Sequence, residues 1–583
     1  MPRANDEVAR ALNELAVLTE IEEANPQAFR VRAYQNGVRA VSGLSRDVST
    51  MSAAELQQVK GIGKAIASKI REQVDTGRMG KLEELRQKYD PGLLDLLKVP
   101  GLGAKTVQLL NDVLGIKDLD GLRSAIDEGR LRDLPGLGEK TERNLKKALE
   151  RLRETSHENR MPIARALPLA EEIVATLDLL PAVQQVEYTG SLRRFRDTIG
   201  DLDVLVASDD PEPVMAAFAE LGLVREVIAQ GPTRASVLTW DGLQVDLRVV
   251  EPAHIGAALV YFTGSKAHNI QLRERAIKRG WTLNEYALSD AETGAVIAGA
   301  TEHEVYDALD LAWVAPEMRE DAGEVQAAAA GELPDLVTVE DLRGDLHDHS
   351  DWSGDGRSSL DEMVAAAAER GLSYLAITDH AENLRINGVD RAGMLRQRKE
   401  LAQLQERHPD LRLLHGAELN VGRDGSLDYD EQFLLGFHWC VASVHSHFRL
   451  EPDEQTERVV AAIRHPAVNV IGHLTGRRIG KRPGIELDVE AIFDACVETG
   501  TALEINCNLD RLDAAAEVVR DGAARGVTFV VSTDAHHTQE LDYHRHGVRQ
   551  ARRGGLDKAQ IANTWDTDRF LEWAGAKRSE VRT

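Results

Sequence analysis

A chain of 583 residues with 43% apolar and 28% charged side chains is too long for one core and too apolar to be disordered, so roughly three or four globular domains are expected. Its net charge of −26 excludes indiscriminate binding to nucleic acid, and any such role must rest on local geometry. Cys440, Cys496 and Cys507 have no CxxC spacing, the start has no apolar leader-like run, and no stretch of 18 apolar residues occurs; a disulfide framework, a zinc ribbon and a membrane span are excluded, and a reducing cytoplasm is expected.

To about residue 155, apolar residues at helical spacing, as in Val8-Ala9-Leu12-Leu15-Ala16 and Leu82-Leu85, predict helices. About two dozen basic and two dozen acidic side chains leave residues 1–150 near neutral, so the acid excess lies further along. One pattern occurs three times, VKGIGKAIASKI from Val59, VPGLGAKTVQLL from Val99 and LPGLGEKTERNL from Leu134. Its glycines, Gly61 and Gly63, Gly101 and Gly103, Gly136 and Gly138, allow tight turns and close approach, and free amides at the following helix start can face a phosphate. Three turns that only pack against one another are the plainer alternative; the repetition favours DNA-backbone binding. The pattern resembles the helix-hairpin-helix motifs of DNA repair proteins. By resemblance to the lyase domain of polymerase beta, Lys69 falls at the Schiff-base lysine, with Arg30 and Tyr34 at supporting DNA-end positions. Such an amine needs a depressed pKa, which sequence does not reveal; a solvated helix lysine is the alternative.

From about residue 183, VEYTGSLRRFR, GDLDVLVA and ASVLTWDGLQVDLRVV alternate with period two and predict strands. Asp201 and Asp203 sit at i and i+2, about 6.5 Å apart on one strand face, and Asp246 on another alternating strand completes a carboxylate triad. That set suits two Mg²⁺ or Mn²⁺ ions roughly 3.5–4 Å apart, one for an attacking 3′-hydroxyl and one for a triphosphate. Gly190, Ser191 and Gly200 supply backbone and hydroxyl groups for phosphates, and Arg194 is placed to neutralise their charge. GSLRRFRDTIGDLDVLV, QVDLRVV and YFTGSKAHNIQLRERAIKRGWTLNEY together resemble the palm and thumb of family X DNA polymerases. That resemblance implies that Tyr261, Phe262 and Gly264 flank the incoming sugar. It likewise places Asn269 and Arg273 against the nascent pair or template, and Arg160 near the triphosphate. Simple helix packing is the alternative for Tyr261 and Phe262.

Residues 255–312 read as mixed helix and strand, and the stretch 315–336, with its AAAAGELP run, reads as a linker. Beyond it, apolar strands ending in His or Asp (YLAITDH, VNVIGH, TALEIN, TFVVSTDAH) alternate with helices, which predicts a βα barrel or layered α/β domain with its chemistry at strand ends. His347, His349, Asp355, His380, Glu418, His445, His473, Asp534 and His536 form the candidate metal set. Nine ligands exceed one ion and fit three, with Mn²⁺, Zn²⁺ or Fe²⁺ suited to imidazole and carboxylate. His408, His447, His465 and His537 are read as non-ligands.

This half resembles the PHP (polymerase and histidinol phosphatase) domain, and all nine positions match that family's ligand pattern; Leu474 departs from the proline expected after the histidine. Taken in order, the whole chain resembles the bacterial and archaeal PolX proteins. The resemblance implies a helical lyase-like domain at 1–95, a second helix-hairpin-helix domain at 96–155, a palm at 156–255, a thumb at 256–315, a linker at 316–339 and a PHP distorted (β/α)₇ barrel at 340–573. It implies a monomeric, cytoplasmic, nucleoid-associated gap-filling polymerase acting on dNTPs and gapped or primer–template DNA. Its PHP site, with Mn²⁺ or Zn²⁺, would be a 3′–5′ exonuclease, with abasic-site or 3′-phosphate processing as companion activities. A PHP phosphatase for small monoesters fused to a polymerase is the rival reading, and a non-catalytic DNA-binding scaffold is the other.

Overall fold

The computed structural model describes residues 3–23, 28–42, 44, 46–90, 92–96, 99, 102–132, 134, 137–138, 141–143, 145–146, 160–384 and 386–582, in two compact units divided at residues 159 and 160. Gly101 and Gly136 of the second and third repeats lie outside the described residues.

The first unit is helical, from Arg3–Glu23 to Leu119–Asp127. Leu12, Leu15, Val41, Ile70 and Leu85 close its core at zero exposure, which is why the helical spacing of apolar residues persists through this segment. The three repeats build the same turn. Ile62, Leu102 and Leu137 each donate their amide to the carbonyl three residues back (3.0, 3.0 and 3.1 Å) and bury their side chains in the core. Gly61 needs its glycine, because its φ is +94°.

The second unit runs from residue 160 to the C-terminus and contains palm, thumb and barrel together. The palm is a five-stranded sheet in the order 185–188, 202–207, 244–250, 234–239, 224–230. Its only parallel pair among the described strands, Leu202–Ala207 with Gln244–Val250, sets Asp203 directly opposite Asp246. The expected strand through GSLRRFR is instead a short helix, Gly190–Arg193, because Gly190 at φ +63° turns the chain out of the sheet. Helices Ile255–Thr263 and Lys266–Ile277 and a three-stranded sheet follow.

The segment expected as a linker at 316–339 is built into the fold. Helix Glu324–Ala330 packs Val325 and Ala328 into the thumb core, and Arg319 is fully buried. An alanine run beside Gly-Glu-Leu-Pro reads as a spacer, yet small side chains also let a helix approach closely. Arg319 is held by Glu302 (2.7 Å), which also receives Arg193 (2.9 Å). Burial opposes charge on Glu302, but the two guanidinium groups outweigh it and hold its carboxyl down at about 2. A carboxyl depressed on folding adds stability above its ordinary pKa and loses it as pH falls towards the folded value, here about 3 kcal/mol lost between roughly pH 4.5 and 2. The gap in unfolding midpoint between wild type and Glu302→Gln should therefore narrow as pH drops from about 5 to about 2.

The barrel is a seven-stranded parallel sheet in sequential order from Gly344–Asp348 to Phe529–Ser532. A parallel bridge between Asp348 and Ala535 brings its last strand round to its first, so the sheet nearly closes. Trp439, Tyr374 and Phe570 plug one end, the latter two stacked at 4.4 Å. The final helix, Thr567–Arg582, runs past the boundary expected at 573. Arg578 on it donates to the carbonyls of His438 (2.6 Å) and Ala467 (3.0 Å).

Palm and barrel interlock. Ile479 and Leu512 of the barrel belong to the palm's apolar core. Asp197 of the palm accepts from Arg477 and Arg553 (2.9 Å each), and Arg549 donates to the Tyr188 hydroxyl and the Arg193 carbonyl (2.7 Å each).

Candidate functional site

Two clusters of titratable groups stand out, one in the palm and one at the barrel mouth. In the palm, Asp246 accepts from Ser236 Oγ and from Gln244 Nε2 (3.0 and 3.1 Å), which fixes its carboxylate towards the cleft. Burial, then Asp201 and Asp246, push the Asp203 carboxyl up to about 7, with Arg248 and Arg194 opposing. Two carboxylates crowding a third that is buried are a destabilising arrangement unless a cation sits among them, so the donor set fits divalent ions. A cavity of about 270 Å³ is lined by Asp203, Asp246, Arg248 and Phe262.

Gly190 is required beside this triad, because a Cβ there would lie 2.7 Å from Asp203 Oδ2. Arg160 donates to Thr198 Oγ1 (2.9 Å) and stands 3.1 Å from where a Gly200 Cβ would project. Arg194 is already engaged, with the Thr263 carbonyl and with Glu320 (3.0 Å), so it braces the Gly264 turn. Gly264 holds φ +71° there. Ser191 is half-buried at the start of the short helix. Asn269 donates to the Tyr261 carbonyl (2.8 Å), the Arg273 guanidinium lies 5.3 Å from the Tyr261 ring centre, and Arg248 lies 4.6 Å from that of Phe262.

At the barrel mouth all nine expected ligands converge, each at or just beyond the C-terminal end of a strand or on the loop after one. Glu418 is the hub. Its carboxylate lies 2.7 to 3.6 Å from ring nitrogens of His347, His349, His380, His445 and His473. Asp534 stands 3.3 Å from His349 and 3.7 Å from His347, and Asp355 3.2 Å from His380 and 3.6 Å from His536. Three overlapping groups have ligand atoms close enough to share an ion: His349, His380 and His536; His347, His349 and Asp534; His380, Glu418 and His445. His347 Nε2, His349 Nε2, Glu418 Oε2 and Asp355 Oδ1 are buried without a hydrogen-bond partner. Buried lone pairs facing one another are costly unless a cation joins them, so these residues fit a group of metal ions.

The electrostatics of the cluster are divided. Burial, His536 and His380 push His349 down to about 3. Burial would lower His380 as well, but Glu418 and Asp355 outweigh it and raise it to about 10. Asp534 holds φ +56° and His473 +24°, left-handed backbone that aims both side chains inward. His408, His447, His465 and His537 belong to none of the three groups. Leu474, where proline was expected, fills the barrel core at zero exposure.

In the first unit, Lys69 Nζ stands 5.9 Å from the centre of the Tyr34 ring, which is itself buried, while Arg30 is exposed and pairs with Glu23 (2.6 Å). A Cβ at Gly63, Gly103 or Gly138 would meet nothing within 4 Å. Gly63 and Gly103 hold ordinary φ values of −77° and −92° at helix starts. The fold itself does not demand glycine there.

Family models match four stretches: a helix-hairpin-helix domain at 3–79, a SAM-like helix-hairpin-helix tandem at 93–151, a DNA polymerase beta thumb at 258–320 and a PHP domain at 345–508. Over 573 residues the chain is 36% identical to the DNA polymerase/3′-5′ exonuclease PolX of Bacillus subtilis, covering 97% of this chain and 99% of that protein. The chain belongs to the PolX family. Probable phosphatases of Syntrophotalea carbinolica (29% over 228 residues) and of a Thermoanaerobacter species (25% over 248 residues) also match. They cover 38% and 41% of this PolX chain and 90% and 96% of their own lengths.

Sequence reasoning missed the residues that brace the expected ligands of the PolX barrel. His347 Nδ1 donates to Glu504 Oε1 (2.6 Å), and Glu504 Oε2 accepts the His473 amide (2.6 Å). Asn506 donates to Asp534 (3.1 Å), and His445 Nδ1 donates to Asn420 (2.8 Å). The signal was present in TALEIN, where Glu504 and Asn506 share one strand face. Such partners orient the ligands and select the tautomer that leaves Nε2 free.

Proposed function

We propose that this chain is a DNA-directed DNA polymerase for gap-filling repair synthesis whose barrel trims 3′ ends as a 3′–5′ exonuclease. The observation that carries the reading is its alignment, end to end, with a protein whose name couples those two activities, in a chain whose two acid and imidazole clusters lie in one compact unit. No described helix is long and apolar enough to cross a membrane.

Asp201, Asp203 and Asp246 would hold two Mg²⁺ or Mn²⁺ ions, and the nine barrel residues up to three Mn²⁺ or Zn²⁺. When bound, such ions supply the positive charge that lowers the pKa of an attacking oxygen and balances charge on the phosphate. Ser236 and Gln244 keep Asp246 aimed at the cleft, and Gly190 leaves room for Asp203. Tyr261, Phe262 and Gly264 shape the floor for the incoming sugar, and Asn269 fixes Tyr261 from beneath. Arg273, held against Tyr261, faces the template side. Arg160, Ser191 and Gly200 line the triphosphate approach, and Arg194 acts through the Gly264 turn. In the first unit, Gly63, Gly103 and Gly138 leave the space a DNA backbone needs at each helix start. Gly61, Gly101 and Gly136 belong to the same turns. Lys69, with Tyr34 and Arg30, is the candidate lyase group at a DNA end.

The matches to probable phosphatases support a second reading, in which the barrel hydrolyses small phosphate monoesters. Wild-type protein with Mn²⁺ should extend a primer across a gap and shorten a 3′-mismatched strand in preference to p-nitrophenyl phosphate. Hydrolysis of the small ester with an intact mismatched strand would establish the second reading instead.

A further inference from the structure

The barrel mouth opens into a cavity of about 580 Å³ whose wall carries four arginines; Arg357 pairs with Glu540 (2.5 Å), which leaves Arg478, Arg482 and Arg511. Arg478 and Arg482 face each other across an antiparallel bridge, each amide donating to the other's carbonyl at 2.8 Å. Directly opposed residues in such a bridge project to the same side, and like charges there destabilise it. Arg482 is pinned with its guanidinium 3.9 Å from the centre of the Phe448 ring and donates Nε and Nη2 to the Gly476 carbonyl (3.1 and 2.6 Å). Its charged neighbours are Arg511 and Arg478, so no acid offsets it. Arg511 Nε lies 3.7 Å from Asp534 Oδ2. The turn that holds the pair requires its glycine: Gly476 has φ +59°, and a Cβ on it would strike Phe448 at 2.8 Å.

Three guanidinium groups on one cavity wall, with Arg482 held between the Phe448 ring and the Gly476 carbonyl, suit an external polyanion. The metal cluster accounts for one phosphate. We propose that Arg478, Arg482 and Arg511 seat the phosphates that adjoin the scissile one along a strand, so that the site takes a single nucleic-acid strand with at least two consecutive phosphates. Leu384 and Phe448 on the same wall give apolar surface for a terminal base. This rests on the exonuclease reading and specifies its substrate: a free phosphate monoester fills the metal cluster and leaves the arginines unmatched.

The test uses the full-length protein with Mn²⁺ and two probes, a short oligothymidylate and the p-nitrophenyl ester of thymidine 5′-monophosphate, which has a single phosphodiester. For Arg478→Ala with Arg482→Ala, the ratio of kcat/KM on the oligonucleotide to that on the ester should fall about 10- to 100-fold, as expected for lost charge-assisted hydrogen bonds. The slope of log kcat/KM against log salt on the oligonucleotide should flatten by ~1.4, at ~0.7 for each phosphate contact removed from a single strand. Arg478→Ala alone, at an exposed position, should flatten it by ~0.7 and guards against misfolding of the double variant. An unchanged ratio and slope, with the oligonucleotide still degraded by wild type, would overturn the arginine seat and leave the exonuclease reading standing. A wild type that cleaves the ester but not the oligonucleotide would overturn both.

Discussion

A protein carrying Asp201→Ala and Asp203→Ala extends a primer ~10³–10⁴-fold more slowly than wild type and still shortens a 3′-mismatched strand. The magnitude follows from losing several kcal/mol of charge stabilisation at one phosphoryl-transfer centre, at about 1.4 kcal/mol for each factor of ten. The selectivity follows from the fold: Asp203 pairs in register with Asp246 in the palm sheet, whereas the nine barrel candidates gather at the strand ends of a separate parallel sheet. Stability distinguishes this loss from unfolding. An acid whose pKa is raised on folding costs stability as pH climbs from its ordinary range to the folded value, for Asp203 up to about 7. With chelator present, the variant should therefore unfold no earlier than wild type at about pH 8, and its advantage should vanish near pH 4. Primer extension that survives the double substitution would remove the palm assignment.

The reciprocal protein, His347→Ala with His349→Ala, should lose 3′-end trimming by ~10³-fold or more and keep primer extension within a few-fold of wild type. Between them these residues enter two of the three candidate ion groups, and His349 enters both. Metal content measured on purified protein should drop in parallel. Because His347 also donates to the buried Glu504, its removal leaves a carboxylate with one partner fewer, at a cost of about 1–3 kcal/mol. His349→Ala alone leaves Glu504 undisturbed and should abolish trimming without that cost. Retained trimming with a full metal complement would show that the cluster is not the nuclease centre.

What the chain announces and what it conceals differ for a physical reason. Period-two alternation around GDLDVLVA and QVDLRVV revealed the palm strands, because the pleat that aligns two aspartates also spaces them in sequence. The nine barrel candidates were legible because each lies at the end of an apolar strand or on the loop after one. The supporting partners were less so. Glu504 and Asn506 look like ordinary polar strand residues until His347 and Asp534 come within reach of them. A run such as HRHGVRQARR reads as a solvated basic helix. Yet Arg545, Arg549 and Arg553 recur at four-residue spacing and meet Glu171, Tyr188 and Asp197 of the palm. Nothing local in sequence marks which charged face will be covered. The same holds for 316–339, where burial of Arg319 depends on Glu302 and hence on the thumb already being formed.

The seam at Asp197 has a bearing on how such a protein can change over generations. Severing the gene ahead of the barrel would strip Ile479 and Leu512 from the palm and strand Asp197 without its two arginines. A lineage that no longer needed the nuclease would be driven to erode individual histidines and keep the rest of the barrel as ballast, since the synthetic half leans on it to stay folded.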